Sequence, residues 1–408
     1  MDSLKADYGQ VLVVDDGGFF PDDAVHRDAA WFLMDAMKVI GTDAVGIGDR
    51  DLRYGLAFLQ VNAKRTGLPL LSANLFMKGS HKLALQPSVI KQVGTVKTGI
   101  FGLISDKGDL FDAKDSVTVE DPVVAAKRTV AELRKKGATV VVLLSQLGKI
   151  ESEDLVTTVE GIDVVIVGRN VPLVQKGRMV KNTVAVYGAE QGQYIGRTIV
   201  SLDAKQHMAT AENEVFMLGP EIPDNPDMAK LVKSFEDAFN EKLRKDEKER
   251  AAAAQARASG ENSPDRYLGS EVCARCHAAE AEQWKTTAHS LAWATLVEVK
   301  KDAAPECVPC HVVGYQKPGG FVNASSTPTM SNVQCENCHG LGTGHDALGG
   351  SMPPVTEQTC RGCHTADRDP DFDLATKLPK IIHSNMSGET LRARNPRGSP
   401  MLQGHGSN

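Results

Sequence analysis

Over the first two hundred residues, short runs of consecutive apolar residues alternate with segments whose apolar positions recur every three or four residues. The runs at 11–14, 44–47, 98–104, 139–144 and 163–167 predict buried strands, and the segments between them predict amphipathic helices. The helix predicted over 121–136 is marked at both ends. Asp121-Pro122 opens it with proline in the first turn, and Lys135-Lys136-Gly137 closes it with a basic turn and a glycine stop. Strands alternating with helices are the pattern of an α/β fold. Shorter β segments follow at 183–186 and 197–202, and Pro223 and Pro226 end the β region. Met228, Leu231, Val232, Phe235, Phe239 and Leu243 then recur at helical spacing. Residues 241–250 are almost all charged with mixed sign, and 251–258 are rich in alanine, so one long helix is predicted, packed in its first half and solvated in its second. A polar stretch at 260–265 reads as a hinge. Beyond it the chain is punctuated by Gly and Pro, without long periodic segments. The expected organisation is an α/β domain at 1–220, a helical connector and hinge at 221–265, a second domain at 266–390 and a polar tail at 391–408.

Composition narrows the class. A chain of 408 residues is long for one ordinary domain, and two is the natural expectation. A formal charge of −6 argues against nucleic-acid binding and against a polybasic membrane surface. No apolar run reaches the roughly 20 residues of a membrane span. Aromatic residues make up only 5% of the chain, which suits a second domain packed around something other than Phe and Trp.

That something is indicated by the cysteines. The pattern Cys-x-x-Cys-His occurs as Cys273-Ala-Arg-Cys276-His277, Cys307-Val-Pro-Cys310-His311, Cys335-Glu-Asn-Cys338-His339 and Cys360-Arg-Gly-Cys363-His364, using all 8 cysteines. This is the attachment signature of c-type haem. Two thiols on one helical turn each add to a vinyl group of one porphyrin, and the adjoining histidine presents its imidazole to the iron. Zinc sites also use paired Cys-x-x-Cys, and disulfides are an alternative in an exported protein, but neither requires a histidine after every second cysteine. Four covalent c-type haems are therefore expected, with His277, His311, His339 and His364 as proximal ligands. Covalent attachment implies the periplasm or the extracellular face. Residues 1–5 do not begin an export signal, so that segment is expected to be missing from this chain.

The first domain resembles the catalytic domain of periplasmic 5′-nucleotidases, which are calcineurin-like metallophosphoesterases. The resemblance rests on the order of Leu12-Val-Val-Asp-Asp-Gly-Gly18, Gly48-Asp-Arg-Asp-Leu52, Pro69-Leu-Leu-Ser-Ala-Asn74, Ser145-Gln-Leu-Gly148, Asp163-Val-Val-Ile-Val-Gly-Arg-Asn-Val171 and Gly188-Ala-Glu-Gln-Gly-Gln-Tyr-Ile-Gly-Arg197. It implies a metallophosphoesterase-like layered β-sheet sandwich flanked by helices. That family hydrolyses phosphate esters with two metal ions. Carried over, its Gly-Asp motif falls on Gly17-Gly18, its Gly-Asn-His-Glu on Gly48-Asp49-Arg50-Asp51, its Ser-His on Ser145-Gln146 and its Gly-His-x-His on Gly168-Arg169-Asn170-Val171. The family's earliest Asp-x-His strand is absent from these residues and is expected to precede them. Arginines where imidazoles should converge on dications are incompatible with a dinuclear centre, and none is expected. The Arg50/Arg169 cleft is left with two expectations: a small bound anion, or neutralisation of each arginine by an acid such as Asp49 or Asp51.

The second domain resembles the cytochrome c-554 family of tetrahaem electron carriers, at Tyr267 to His277, Trp284-Lys-Thr-Thr-Ala-His289 and Cys338-His-Gly-Leu-Gly-Thr-Gly-His345. The expected fold here is mostly α and irregular. The resemblance implies that His289, His345 and His383 are distal haem ligands. His26, His81 and His207 belong to the other domain and are expected at its surface. Three distal candidates for four haems leave one short, and the family offers the precedent of a five-coordinate haem. The second motif, at His311, is the odd one out, unless His405, Met330 or Met352 closes it.

The expected function is electron transfer through four haems, with other multihaem cytochromes or quinone-linked complexes as partners, fused to an inactive phosphoesterase-like domain. The alternatives are a haem enzyme acting on a small nitrogen oxide or hydroxylamine at His311, a residual metal-dependent phosphoesterase, and a scaffold.

Overall fold

The computed structural model describes residues 2–21, 26–172, 174, 176–188, 192–219, 221–258, 265–345 and 352–383. Most of the expected hinge, the polar tail and His405 lie outside these residues. The chain divides into two compact units between Lys233 and Ser234.

The first unit opens with helix α1 (Asp2–Tyr8). Three short parallel strands, β1 (Val14–Asp15), β2 (Ala44–Gly46) and β3 (Leu70–Leu71), then form a small sheet. Strands β4 (Leu75–Met77) and β7 (Val117–Val119) pair antiparallel beside it. The larger sheet uses β5 (Ser88–Val93), β6 (Val96–Ile104), β8 (Val140–Gln146), β9 (Val164–Val167), β10 (Arg178–Val180) and β11 (Thr183–Tyr187), in the order β10-β11-β9-β8-β6-β5. Its four inner strands run parallel, and β5 and β10 close the edges antiparallel.

The period of β8 shows how the layers assemble. Val140, Val142 and Leu144 pack with Ala44, Leu71 and Ile100 in a cluster joining the two sheets. Val141 and Leu143 point the other way, into a cluster with Ala125, Val130, Leu133, Leu155 and Val156 of helices α4 (Pro122–Lys135) and α5 (Lys149–Thr158). Both faces of the strand are covered, hence its unbroken apolar run. Helices α2 (Arg27–Ile40) and α3 (Gly55–Thr66) cover the small sheet, where Met34 and Leu59 are fully buried. The order helix, sheet, sheet, helix is the layered sandwich expected. Strands β12 (Tyr194–Leu202) and β13 (Met208–Met217) follow as an antiparallel pair.

The strand expected at 11–14 pairs only over Val14–Asp15. One residue earlier a side chain replaces the ladder: Val13 N–H donates to Asp43 Oδ2 (3.0 Å), while Asp43 N–H donates to Val13 O (2.7 Å).

Helix α6 (Pro226–Ala258) carries the chain into the second unit, as one 33-residue helix. There Leu243 and Phe239 pack with Ala303, Ala304 and Cys307. Among the described residues the rest of this unit is built from helices of seven residues or fewer, and a second apolar cluster is Leu296, Val308, Val312 and Phe321. The helix Cys335–His339 ties these pieces together. Glu336 accepts the N–H groups of Leu268, Gly269 and Gly342, Gln334 accepts that of Ser270, and Asn337 Nδ2 donates to Val312 O. Among the described residues no helix is long and apolar enough to cross a membrane.

Candidate functional sites

In the second unit each motif begins in or just before a short helix, and three of the four motif histidines face a histidine from outside the motifs. The ring centroids of His277 and His345 are 6.2 Å apart with planes at 23°. Those of His339 and His383 are also 6.2 Å apart, at 23°. His289 and His364 repeat the 6.2 Å separation with planes at 51°. A metal–imidazole bond is about 2 Å long and the ring nitrogen lies roughly 1 Å from the ring centre, so two imidazoles trans on one metal place their centroids about 6 Å apart. The three pairs match the spacing that one metal ion between two imidazoles would need.

Burial, then the neighbouring His364, holds His289 below its ordinary pKa, and burial, then His383, does the same for His339. Both effects favour the neutral imidazole, the form that ligates metal. His311 differs from the other three. Its Nδ1 lies 2.6 Å from Ala292 O, and among the described residues no histidine ring faces it. Met330 packs in the apolar cluster with Val308 and Val312.

None of the eight cysteines is disulfide-bonded. Across motifs, Cys273 neighbours Cys335, Cys310 neighbours Cys363 and Cys338 neighbours Cys360. The motifs therefore adjoin in the order first, third, fourth, second. Among the described residues no three His, Cys, Asp or Glu side chains group as a metal-ion site.

In the first unit the loops after β1, β2, β8 and β9 converge. Asp51 is their hub, fully buried: Oδ2 accepts the N–H groups of Gly18 (2.7 Å) and Gly48 (2.9 Å), and Oδ1 accepts that of Phe19 (3.0 Å). Gln146 Nε2 donates to Asp16 O (3.0 Å). The approach is so close that a Cβ on Gly48 would meet Gln146 Oε1 at 2.4 Å, and one on Gly168 would meet Asp16 Oδ2 at 2.3 Å. Arg169 Nε pairs with Asp49 Oδ2 at 3.0 Å, both side chains largely buried. Arg169 and Asn170 hold left-handed backbone angles, φ 66° and 55°, to reach across the cleft. Burial raises Asp51 to about 7 and lifts Asp15 and Asp16 as well.

A phosphoesterase-like α/β unit joined to a c-type cytochrome region is the class these features define, and comparison with known proteins agrees. The family model described as cytochrome c554 and c-prime matches residues 272–340, which contain the first three motifs. Cytochrome c-554 of Nitrosomonas europaea is 37% identical over 91 residues, covering 19% of this chain and 39% of that protein. The first region matches 5′-nucleotidases and calcineurin-like phosphoesterases. Snake venom 5′-nucleotidase of Gloydius brevicauda is 24% identical over 262 residues, covering 55% of this chain and 42% of its own length. The chain thus spans well under half of either relative. Among solved structures, the 5′-nucleotidase precursor of Thermus thermophilus superposes with a TM-score of 0.52 at 22% identity, covering 57% of this chain and 50% of that one. The sulfate thiohydrolase SoxB of Thermus thermophilus gives 0.53 at 19% identity, over 57% and 44%. At these identities the likeness concerns the fold.

All three expected distal histidines thus lie opposite motif histidines. Sequence reasoning did not find Asp369, whose Oδ2 is 2.7 Å from Nδ1 of His364, nor the role of Glu336. Glu336 sits inside a motif as an unremarked x residue, and only the absence of any nearby basic residue to pair with it could have flagged it.

Proposed function

We propose that this protein is a multihaem c-type cytochrome that relays electrons on the periplasmic or extracellular side of a membrane, with four covalent haems and redox proteins as partners. The observation that carries this reading is the set of three histidine pairs at one common spacing. It also supports the fourth motif, which lies beyond the matched family region: His289, inside that region, faces His364 of the fourth motif. Bound c-type haem supplies reversible one-electron iron chemistry, at low potential when both axial ligands are histidine. In this reading the chain does the rest. Cys273 and Cys276, Cys307 and Cys310, Cys335 and Cys338, and Cys360 and Cys363 would hold the four groups by thioether bonds. His277 with His345, His339 with His383, and His364 with His289 would each hold one iron. The adjoining thiols support a relay in the order first, third, fourth, second motif.

The setting of His311 favours a second reading at the end of that relay. With its Nδ1 bonded to Ala292 O and no facing histidine among the described residues, His311 would leave a coordination position for a small ligand such as a nitrogen oxide. The first unit, in this reading, is catalytically inert. Asp49 and Arg169 stand where the resemblance would put two metal ligands, and their ion pair neutralises the guanidinium without a bound anion.

Haem content and low-temperature electron paramagnetic resonance (EPR) of the oxidised, haem-loaded protein test this. We expect four haems per chain, three low-spin and one high-spin, with nitric oxide altering only the high-spin signal. Fewer than four haems, or fewer than three low-spin signals, would refute the relay. Four low-spin haems would leave the relay and remove the second reading.

A further inference from the structure

The motif histidines differ in what holds the far side of the ring. His364 Nδ1 lies 2.7 Å from Asp369 Oδ2, with both side chains mostly shielded from solvent. Glu280 stands 4.0 Å from Nδ1 of His277, beyond hydrogen-bonding range, and Nδ1 of His311 meets the neutral carbonyl of Ala292. Among the described residues, then, His364 is the motif histidine with a carboxylate on its Nδ1. Two further contacts fix the arrangement. Phe372 stacks on the His364 ring at 4.6 Å and 26°, and the Arg361 guanidinium lies over the Phe372 ring, 4.8 Å from its centroid. Arg361 is itself held by Glu357 (3.0 Å), so its charge is engaged away from Asp369.

A carboxylate accepting the Nδ1–H of a metal-bound imidazole fixes the tautomer, orients the ring and makes the ligating Nε2 more basic. A more basic ligand and a nearby negative charge both favour the ferric over the ferrous state, because ferric iron carries one more positive charge. We propose that Asp369 is a positioning residue that holds Nε2 of His364 toward the iron and lowers the reduction potential of the site shared by His289 and His364. One electron enters that site on reduction. The Nδ1 proton stays on His364 in both states, so no proton accompanies it. This rests on the relay reading. In the motif order above, the tuned site lies between the third and second motifs, next to His311, where its potential governs how readily electrons reach the end of the chain.

The pair also carries its own spectroscopic label. Trans imidazoles with nearly parallel planes give a more rhombic EPR signal than imidazoles turned across one another. His289 and His364, at 51° against 23° for the other two pairs, should contribute the most axial low-spin signal. The test is an EPR-monitored redox titration of the haem-loaded full-length protein and of Asp369→Asn, Asp369→Ala and Asp369→Glu. Asn keeps an acceptor for Nδ1–H and removes the charge. We expect the most axial signal to keep its shape in Asp369→Asn while its reduction equilibrium shifts about tenfold toward the ferrous form, roughly 59 mV for a one-electron couple. Asp369→Glu should recover part of the shift, and the two more rhombic signals should titrate as before. An axial signal present in every variant with an unchanged midpoint would overturn the role of Asp369 and leave the relay standing. Absence of that low-spin signal from the unmodified protein would overturn both.

Discussion

Asp51 is the residue on which the phosphoesterase-like cleft turns. It occupies the position of the glutamate in the Gly-Asn-His-Glu motif of the related fold, but its two oxygens are committed to backbone N–H groups from two loops. These bonds hold the loop 17–20 against the loop 48–51. The cost is a buried carboxyl among acids. Burial raises it from 3.8 to about 7, opposed by the N–H groups of Gly18 and Gly48 and reinforced by Asp15. Below pH 4 the group is protonated in both folded and unfolded chains. Between about pH 4 and 7 the folded chain holds a proton that the unfolded chain has lost, so stability falls as pH rises, by up to about 1.4 kcal/mol per pH unit, and levels off above 7. Asp15 and Asp16 are raised too and act in the same direction. We therefore expect the urea midpoint of the first unit to drop between pH 5 and pH 8. Trp31 emission should report it, since haem quenches tryptophans near it. Asp51→Asn should lower the midpoint at pH 5, because an amide NH₂ then faces backbone N–H groups, yet reduce the pH slope. A midpoint that does not change with pH in the unmodified chain would rule out a protonated Asp51.

Among the elements, α4 and the helix Cys335–His339 show what a sequence reveals and what it hides. Helix α4 is legible residue by residue. Asp121 accepts from Val123 N and Val124 N, Pro122 fills the first turn, and Gly137 stops the chain at φ 87°. Each signal is local, and removing the cap with Asp121→Ala should cost about 1 kcal/mol. The haem motifs are legible for the same reason, since their chemistry lies within five consecutive residues. The ring partners depend on chain folding: His345, His289 and His383 are identifiable as candidates, but their assignment to His277, His364 and His339 needs coordinates. Arg169 with Asp49 is a still longer-range pairing, which the residues alone leave as one of two outcomes. The third-motif helix is the least legible, because Glu336 looks like a solvated acid and is 4% exposed. It has three backbone donors and no cationic partner in its hydrogen bonding, so it acts as a structural clasp on the segment that starts the first motif. Glu336→Ala would strand buried N–H groups at about 1–3 kcal/mol each. The expected outcome is a thermal transition of the second unit, followed at the Soret band, lowered by roughly 10 °C or more, given about 4–8 °C per kcal/mol for a small domain. A drop of only a degree or two would mean that Leu268 and Gly269 are held by other contacts.

At the scale of the whole molecule the two units are stabilised by different means. The first has three extensive apolar clusters, one on each side of its sheets and one between them. Among the described residues the second has two small ones, Leu296 with Val308, Val312 and Phe321, and Leu243 with Ala303 and Ala304. Helices of four to seven residues do not persist in water on their own, and small clusters of this kind bury too little apolar surface to offset the ordering of a chain this long. Covalent porphyrins would supply the missing apolar area, and axial ligation would couple folding to metal binding, so the stability of the second unit should depend on them as zinc-dependent domains depend on zinc. The first unit should not. A chain with all eight cysteines replaced by alanine cannot form the thioether bonds, and it separates the two cases. Hydrogen exchange should show residues in β6, β8 and β9 as protected in this variant as in the haem-loaded protein, because the clusters around them contain no cysteine. Amides of the helices Ala278–Trp284, Ala292–Glu298 and Cys335–His339 should lose protection. Equal protection of those helices without attached haem would mean that the polypeptide alone holds the histidine pairs at 6.2 Å, and haem would then enter a preformed site rather than complete the fold.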